Sequence, residues 1–186
     1  MEEKKTPIIK KKIPASDAAK RKKLDHLARR KEFDESKTRM TLDYLFGPGV
    51  SRKIDFSKIA FVHSRKTGRI KQLEDRASGK VMFTFRPNGS IAPTLLGARA
   101  MLSSNASLGT RWIVTVINEV SEIVSSGKTV FCKHVVSCED ALRAGDDVVI
   151  LNERKELLAV GHAVLNGSAM KQFKRGQAVK VREGAN

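Results

Sequence analysis

Residues 141–183 read ALRAGDDVVILNERKELLAVGHAVLNGSAMKQFKRGQAVKVRE and contain three apolar runs, at 148–152, 157–165 and 177–183. In the last run Val179 and Val181 alternate with charged residues, which predicts a strand with one buried face. Lys180 and Arg182 are expected on the outer face of that strand. We expect two further strands just upstream, at 111–117 and 128–136. Five or more short strands with closely spaced turn signals predict a small closed barrel.

Short helices are predicted between these strands. The segment 118–127 should form a capped helix ending at Gly127, and 168–173 should form another. The apolar positions of the strands give the expected barrel core: Trp112, Ile113, Val148, Ile150, Leu158, Val160, Val164, Val179 and Val181.

The preceding segment, 40–108, predicts a small α+β unit. A short apolar helix around Leu45 should end at the Gly-Pro-Gly of 47–49. KIAFVHS (58–64) and RIKQLE (69–74) read as strands joined by the turn RKTG. KVMFTFRPNGSIAPT (80–94) reads as a hairpin turning at Asn88-Gly89, and 94–104 as a helix.

Residues 1–39 form a basic N-terminal segment with 14 Lys and Arg against 7 Asp and Glu. Its first 15 residues have few apolar positions and are expected to be disordered. Ser16-Asp17 could cap a helix that continues to about Ala28. The composition fits both a solvated tail and a phosphate-binding arm that orders on RNA or a partner.

The composition favours a polyanionic partner. The 186 residues carry a formal net charge of +16. Such an excess attracts nucleic acid first and an anionic membrane second. No apolar run approaches the ~18 residues that span a bilayer, and no signal peptide is visible, so we expect a cytoplasmic protein without membrane partners. Few aromatic residues are expected at the surface, so stacking on single-stranded bases should be minor.

The sequence shows no complete catalytic motif. A nucleophile elbow, a phosphate loop and a dinucleotide fingerprint are absent, and no cofactor is expected. Cys132 and His134 could share one face of a strand but have no second pair of ligands, so no metal site is predicted. Cys132 and Cys138 are expected as free thiols. The acid pairs 139–140 and 146–147 are expected to cap backbone amides.

Three cationic elements are better candidates for a functional site. SSGK (125–128) is expected to offer amides to a phosphate, with Gly127 leaving room for its approach. SRKTGR (64–69) places three cations on a tight turn, and the last strand adds Lys180 and Arg182. Together, in a chain this basic, they favour binding of RNA or DNA.

The motifs SSGKTVFCKHVV, R-x-G-D-x-V, L-x-A-V-G-x-A and G-x-A-V-K-V-R make residues 109–184 resemble a PUA domain, an RNA-binding module. DYLFGPG, HSRKTGRI and FRPNGSIAPTLLGARAML resemble the domain that precedes the PUA domain in archaeal tRNA-guanine transglycosylase, the archaeosine enzyme. The resemblance implies an α+β fold: a basic tail (1–39), a small α+β domain (40–108) and a PUA-type β pseudobarrel (109–186). The catalytic barrel of that family has no counterpart here, so a non-catalytic protein is expected.

By resemblance, the PUA domain grips the acceptor stem and 3′ end of tRNA. Its contacts come from the loop after the first helix, the second strand and the last strand. With the cationic turn, the expected RNA-binding residues are Arg65, Lys66, Arg69, Ser125, Ser126, Gly127, Lys128, Thr129, Lys133, Lys174, Arg175, Lys180 and Arg182.

Three functions are consistent with these observations. The first is an accessory tRNA-binding protein in archaeosine-type modification, with a separate catalytic transglycosylase as a possible partner. The second is a protein that binds ribosomal RNA or the ribosome. The third is an enzyme with a site around Cys132 and His134.

Overall fold

The computed structural model describes residues 15–103 and 111–186. Of the first 15 residues, for which disorder is expected, residues 1–14 lie outside the described ranges and Ala15 begins a helix. The first range forms what we call the N-terminal unit and the second the barrel unit. None of the described helices is both long enough and apolar enough to cross a membrane.

The N-terminal unit consists of a long helix and a four-stranded antiparallel meander. Its elements are α1 (Ala15–Phe46), β1 (Ile59–His63), β2 (Ile70–Asp75), β3 (Val81–Phe85), β4 (Ile91–Pro93) and α2 (Leu95–Leu102). The strands lie in the order β1-β2-β3-β4. The side chain of Thr94 caps α2 by accepting a hydrogen bond from the backbone N–H of Gly97.

Helix α1 differs from the prediction. We expected one helix near 16–28 and another near 42–46, but a single 32-residue helix covers both and passes through the expected boundary at residues 39 and 40. Its C-terminal part is anchored because Leu42 and Phe46 enter the core. The intervening residues pair along the helix: Glu35 accepts hydrogen bonds from Arg39 four positions later. Such contacts extend a helix between apolar anchors.

The barrel unit is a curved six-stranded sheet with two short helices. Its elements are β5 (Ile113–Val116), α3 (Ser121–Ser125), β6 (Val130–Phe131), β7 (Val135–Cys138), β8 (Asp147–Asn152), β9 (Leu157–Ala163), α4 (Gly167–Gln172) and β10 (Gln177–Gly184). The strand order is β6-β10-β9-β8-β5-β7, and only the β5–β8 pair is parallel. This arrangement confirms the expected mixture of α and β structure and the pseudobarrel.

The predicted strand at 128–136 is wrong. It splits into β6 and β7, which pair with β10 and β5 at opposite edges of the sheet. A 3₁₀ turn at Cys132–His134 separates the two strands, with the Cys132 side chain buried beneath it. The bend allows one apolar run to contribute to both edges of the curved sheet.

Strand β8 is buried on both faces and joins two cores. Val148 and Ile150 face the interior of the barrel unit. Val149 and Leu151 point the other way and pack in a cluster with residues of the N-terminal unit. Alternate side chains of a strand point to opposite faces, so a continuous apolar run is what such a strand requires.

Trp112 extends the contact between the units. Its ring lies edge-on to that of Phe46, with the centroids 6.0 Å apart. Most of the predicted barrel core is buried, including Trp112 and Val179, but Val164 is exposed.

A charged cluster also joins the two units. The Asp147 side chain, at the start of β8, is only 2% exposed and is paired with two arginines. Arg86 of the N-terminal unit donates to both carboxylate oxygens, at 2.7 and 3.1 Å. Arg182 of β10 donates to Oδ1 at 2.7 Å and also to the carbonyl oxygen of Pro93. We call Arg86, Asp147 and Arg182 the junction triad.

Asp147→Ala should lower the free energy of unfolding by about 2–4 kcal/mol, because it leaves two arginines without their shared anion. Arg86→Ala should cost less, since Arg182 still pairs with the carboxylate. Urea unfolding curves measure both effects, with Asp25→Ala on the exposed part of α1 as the control. Equal stability of Asp147→Ala and the wild-type chain would contradict this role.

Candidate nucleic-acid interface

The strongest cationic surface lies along the edge of the barrel unit formed by β6 and β10. Val130 pairs with Val179, and Phe131 pairs with Gln177. The Cys132 N–H donates to the carbonyl oxygen of Gly176, 3.0 Å away. The segment from Val130 to Cys132 therefore runs antiparallel to the segment from Gly176 to Val179.

This pairing collects five of the expected cations. All five are exposed, and no ion pair or side-chain hydrogen bond holds any of them within residues 15–103 and 111–186. We call this set the β10 edge: Lys128, Lys133, Lys174, Arg175 and Lys180. Uncompensated cations aligned on a sheet edge suit the phosphates of a nucleic acid.

A groove beside the β10 edge has an apolar wall. Its volume is about 430 Å³, and Ile123 and Phe131 line it together with Lys128, Lys133 and His134. No carboxylate is among the described residues that line it. The groove can therefore accept an anionic group and an adjacent apolar surface.

The SSGK segment does not act as expected. The N–H of Gly127 donates to the carbonyl oxygen of Val124, and that of Lys128 to the carbonyl oxygen of Ile123. These bonds form the Schellman motif that closes a helix, with Gly127 left-handed at φ 88°. The two amides are already used, so they are not free donors for a phosphate, whereas the Lys128 side chain is exposed.

The two serines of the loop are also engaged. Ser125 Oγ donates to the carbonyl oxygen of Ser121, and Ser126 Oγ donates to that of Ile123. Each hydroxyl can still accept a hydrogen bond, but a phosphate oxygen needs donors. Thr129 is half-buried and lines the groove.

Arg182 does not join the outward row of cations. Arg182 lies at a bulge between Val181 and Glu183 that interrupts the β9–β10 register. The Arg182 side chain turns to Asp147 in the junction triad. Glu183, the next residue, contacts the N-terminal unit, where its side chain accepts a hydrogen bond from the backbone N–H of Leu95.

The cationic turn at residues 65–69 belongs to a different surface. It joins β1 and β2, and helix α1 holds it through a 3.0 Å hydrogen bond from Arg30 to the carbonyl oxygen of Gly68. Arg65, Lys66 and Arg69 are exposed there. They are therefore a second group of cations, in the N-terminal unit.

More aromatic side chains are exposed than the sequence suggested. Tyr44 is 82% and Phe33 67% exposed on α1, while Phe131 and Phe173 are exposed in the barrel unit. The expectation that stacking should be minor rested on a low aromatic content and is corrected by this placement. Aromatic rings near free cations are the usual elements of a single-strand binding surface.

The cysteines do not form a reactive centre. Both are free thiols, and burial raises the pKa of Cys132 and of Cys138. A raised pKa disfavours the nucleophilic thiolate. Among the residues in the two described ranges, no three or more His, Cys, Asp or Glu side chains are placed to hold a metal ion.

The acid pairs have more varied roles than capping. Asp146 does accept a hydrogen bond from the N–H of Arg143. Asp140 instead pairs with Lys171 at 2.6 Å, and this hydrogen bond and charge lower the pKa of the Asp140 carboxyl. Asp147 belongs to the junction triad, a role missed because its partners are 61 and 35 residues away.

Two family models match separate parts of the chain. Residues 112–185 match the PUA domain, and residues 36–106 match the patch-forming domain C2 of tRNA-guanine transglycosylase. A tRNA-guanine(15) transglycosylase of Methanocaldococcus jannaschii is 34% identical over 152 residues, which are 81% of this chain and 23% of the relative. The chain thus spans about a quarter of the length of the curated relatives it matches.

Solved structures agree with this fold. A hypothetical protein from Pyrococcus horikoshii superposes with a TM-score of 0.63 at 23% identity, covering 82% of this chain and 90% of that protein. A PUA domain from Aeropyrum pernix, solved with tartrate, gives a TM-score of 0.55 at 20% identity, covering 81% of each chain. Residues 36–106 are therefore similar to the patch-forming domain C2 and residues 112–185 to a PUA domain, and together they resemble the C-terminal PUA region of archaeosine tRNA-guanine transglycosylase.

Proposed function

We propose that this chain binds tRNA along the β10 edge and serves as a non-catalytic accessory factor in archaeosine-type tRNA modification in the cytoplasm. The PUA match and the transglycosylase relatives support an RNA-binding role in tRNA modification. The observation that carries the proposal is the set of five exposed, unpaired cations in β10 and in the segments that flank β6 and β10. We also propose that the chain has three parts, with boundaries at residues 39/40 and 108/109, and that helix α1 connects the first two parts.

The charge pattern favours contact with the outside of a folded RNA. The β10 edge is built on the extended strands β6 and β10, and a sugar-phosphate backbone is also extended. The groove beside it has no acidic residue among the described residues that line it. Double-stranded RNA is recognised mostly through its shape, phosphates and 2′-hydroxyls. A row of flexible lysines suits such contacts, because lysine binds phosphate as a point charge.

The accessory role follows from what the chain resembles. Its matches are the C2 and PUA domains rather than a catalytic barrel. We propose that a separate transglycosylase subunit provides the chemistry and that this chain contributes affinity for the substrate. Incubation of the chain alone with tRNA and a labelled 7-deazaguanine base should give no base exchange; exchange by the chain alone would contradict the non-catalytic role.

The paired change Lys128→Ala with Lys180→Ala should weaken tRNA binding, since it removes two phosphate contacts. The slope of log K against log salt should become shallower by about 1.4–1.8, at about 0.7–0.9 per contact. Fluorescence anisotropy over a salt series measures both quantities.

The matched control for this pair is Lys22→Ala with Lys80→Ala, which removes the same charge from exposed positions elsewhere. The β10 edge is excluded as the binding surface if both pairs give the same affinity and slope. Co-sedimentation of the wild-type chain with ribosomes, without affinity for free tRNA, would instead support the ribosomal alternative.

Lys180→Ala and Arg182→Ala should affect different properties, tRNA binding and stability respectively, although the two residues are only two positions apart. Lys180 is exposed and unpaired, so its loss should weaken tRNA binding and leave stability unchanged. Arg182 belongs to the junction triad, so its loss should lower the free energy of unfolding by about 1–3 kcal/mol and leave the salt slope unchanged. Urea unfolding and tRNA titration of both variants test this contrast, and a reversed pattern would contradict the assignment.

A further inference from the structure

A second groove lies in the N-terminal unit, between α1 and the tips of two hairpins. Its volume is about 560 Å³. Helix α1 contributes one wall, and the β1–β2 and β3–β4 turns with their adjoining residues contribute the other. We call it the α1 groove, lined by Lys37, Thr41, Ser64, Thr67, Arg69, Ile70, Lys71, Phe85, Arg86, Pro87 and Gly89.

The α1 groove carries positive charge that the described part of the protein does not neutralise. Lys37, Arg69 and Lys71 are exposed, and none has an ion pair or side-chain hydrogen bond within the described ranges. Arg86 is different, because it already pairs with Asp147. No carboxylate is among the described lining residues, so three cations face the groove without a counter-charge.

The groove also has an apolar surface. Ile70 and Phe85 are partly buried, pack against the core cluster that contains Val149 and Leu151, and line the groove beside Pro87. A strongly hydrated ion alone gains nothing from such a surface. A ligand that has both phosphate and a flat, weakly polar ring fits it better.

Helix α1 also carries two exposed aromatic rings, those of Phe33 and Tyr44, which are not among the residues that line the groove. Phe33 lies one helical turn before Lys37, and Tyr44 lies two turns after it, so all three project from the same side of the helix. Met40 lies between the two rings and is also exposed. Tyr44 is the most exposed large hydrophobic side chain of the described chain, and nothing within the described ranges covers it.

The geometry points to a binding site for single-stranded RNA in the α1 groove. The phosphates of the RNA backbone contact Lys37, Arg69 and Lys71, and one or two bases of the RNA stack on Phe33 and Tyr44. The site is separate from the β10 edge, which we assign to the folded part of tRNA. Charge complementarity selects RNA over a protein segment, because an unpaired cluster of three cations with neighbouring rings suits a phosphodiester chain.

A labelled twelve-nucleotide oligouridylate probes the site, because it is single-stranded and does not require the β10 edge. Lys37→Ala with Lys71→Ala should weaken its binding about tenfold and reduce the salt slope by about 1.4, at about 0.7 per phosphate contact on a single strand. Lys31→Ala with Lys80→Ala is the control: Lys31 lies on another face of α1, and Lys80 lies at the opposite end of the meander. Unchanged affinity of the first pair, or an equal loss in the control pair, would overturn the proposal.

The stacking contribution is tested separately. Phe33→Ala with Tyr44→Ala should weaken oligouridylate binding at least about fivefold and leave the salt slope unchanged, because rings contribute stacking but no phosphate contact. Phe173→Ala in the barrel unit is the control. Both rings are exposed, so the variant should melt at the wild-type temperature by circular dichroism. An affinity equal to that of the control would overturn the assignment of the rings.

The two sites are distinguished by exchanging probes and variants. Lys128→Ala with Lys180→Ala should weaken tRNA binding but not oligouridylate binding. If these changes abolish oligouridylate binding, the single strand occupies the β10 edge and the α1 groove proposal is wrong. Another outcome is that only the α1 groove variants lose affinity for oligouridylate, while the β10 edge variants keep full affinity for tRNA. In that case the α1 groove proposal stands and the assignment of the β10 edge to tRNA fails.

Discussion

Asp147 is a carboxylate removed from water, and an isolated charge in that position would be very costly. It is tolerated because Arg86 and Arg182 approach it from two different parts of the fold. Arg86 comes from the end of the meander, and Arg182 comes from the bulge of β10. The carboxylate thereby fixes the orientation of the N-terminal unit relative to the last strand. Both proposed RNA surfaces depend on this, since one lies on each side of the junction.

The apolar packing around the triad makes the joint extensive. Strand β8 gives Val148 and Ile150 to one core and Val149 and Leu151 to the other. A change in the angle between the units would therefore disturb a strand at the centre of both cores. The two basic surfaces are therefore held at a defined separation, and if both bind RNA as proposed, this favours simultaneous contact with two parts of one molecule over independent binding.

The strands and much of the core could be predicted because their signals are local. Alternation in QAVKVRE placed Val179 inside and Lys180 outside, and the glycine of SSGK marked the end of α3. The same local signals could not reveal the bulge after Val181 or the pairing of Arg182 with Asp147. They also suggested free amides at Gly127, although the helix end uses them. Asp147 was missed because a buried ion pair depends on residues brought together only by the fold.

Helix α1 extends about 48 Å at 1.5 Å per residue, and its described side chains before Asp34 are exposed. Its described contacts with the rest of the N-terminal unit begin at Arg30, which donates a hydrogen bond to the carbonyl oxygen of Gly68, and continue to Leu42 and Phe46 in the core. The length of such a helix sets how far its N-terminal end extends from the core, and its number of residues sets which side of that end faces a partner. Inserting two residues before Arg30 would rotate that end by about 200° around the axis, whereas inserting seven would nearly restore its phase while lengthening it by about 10 Å.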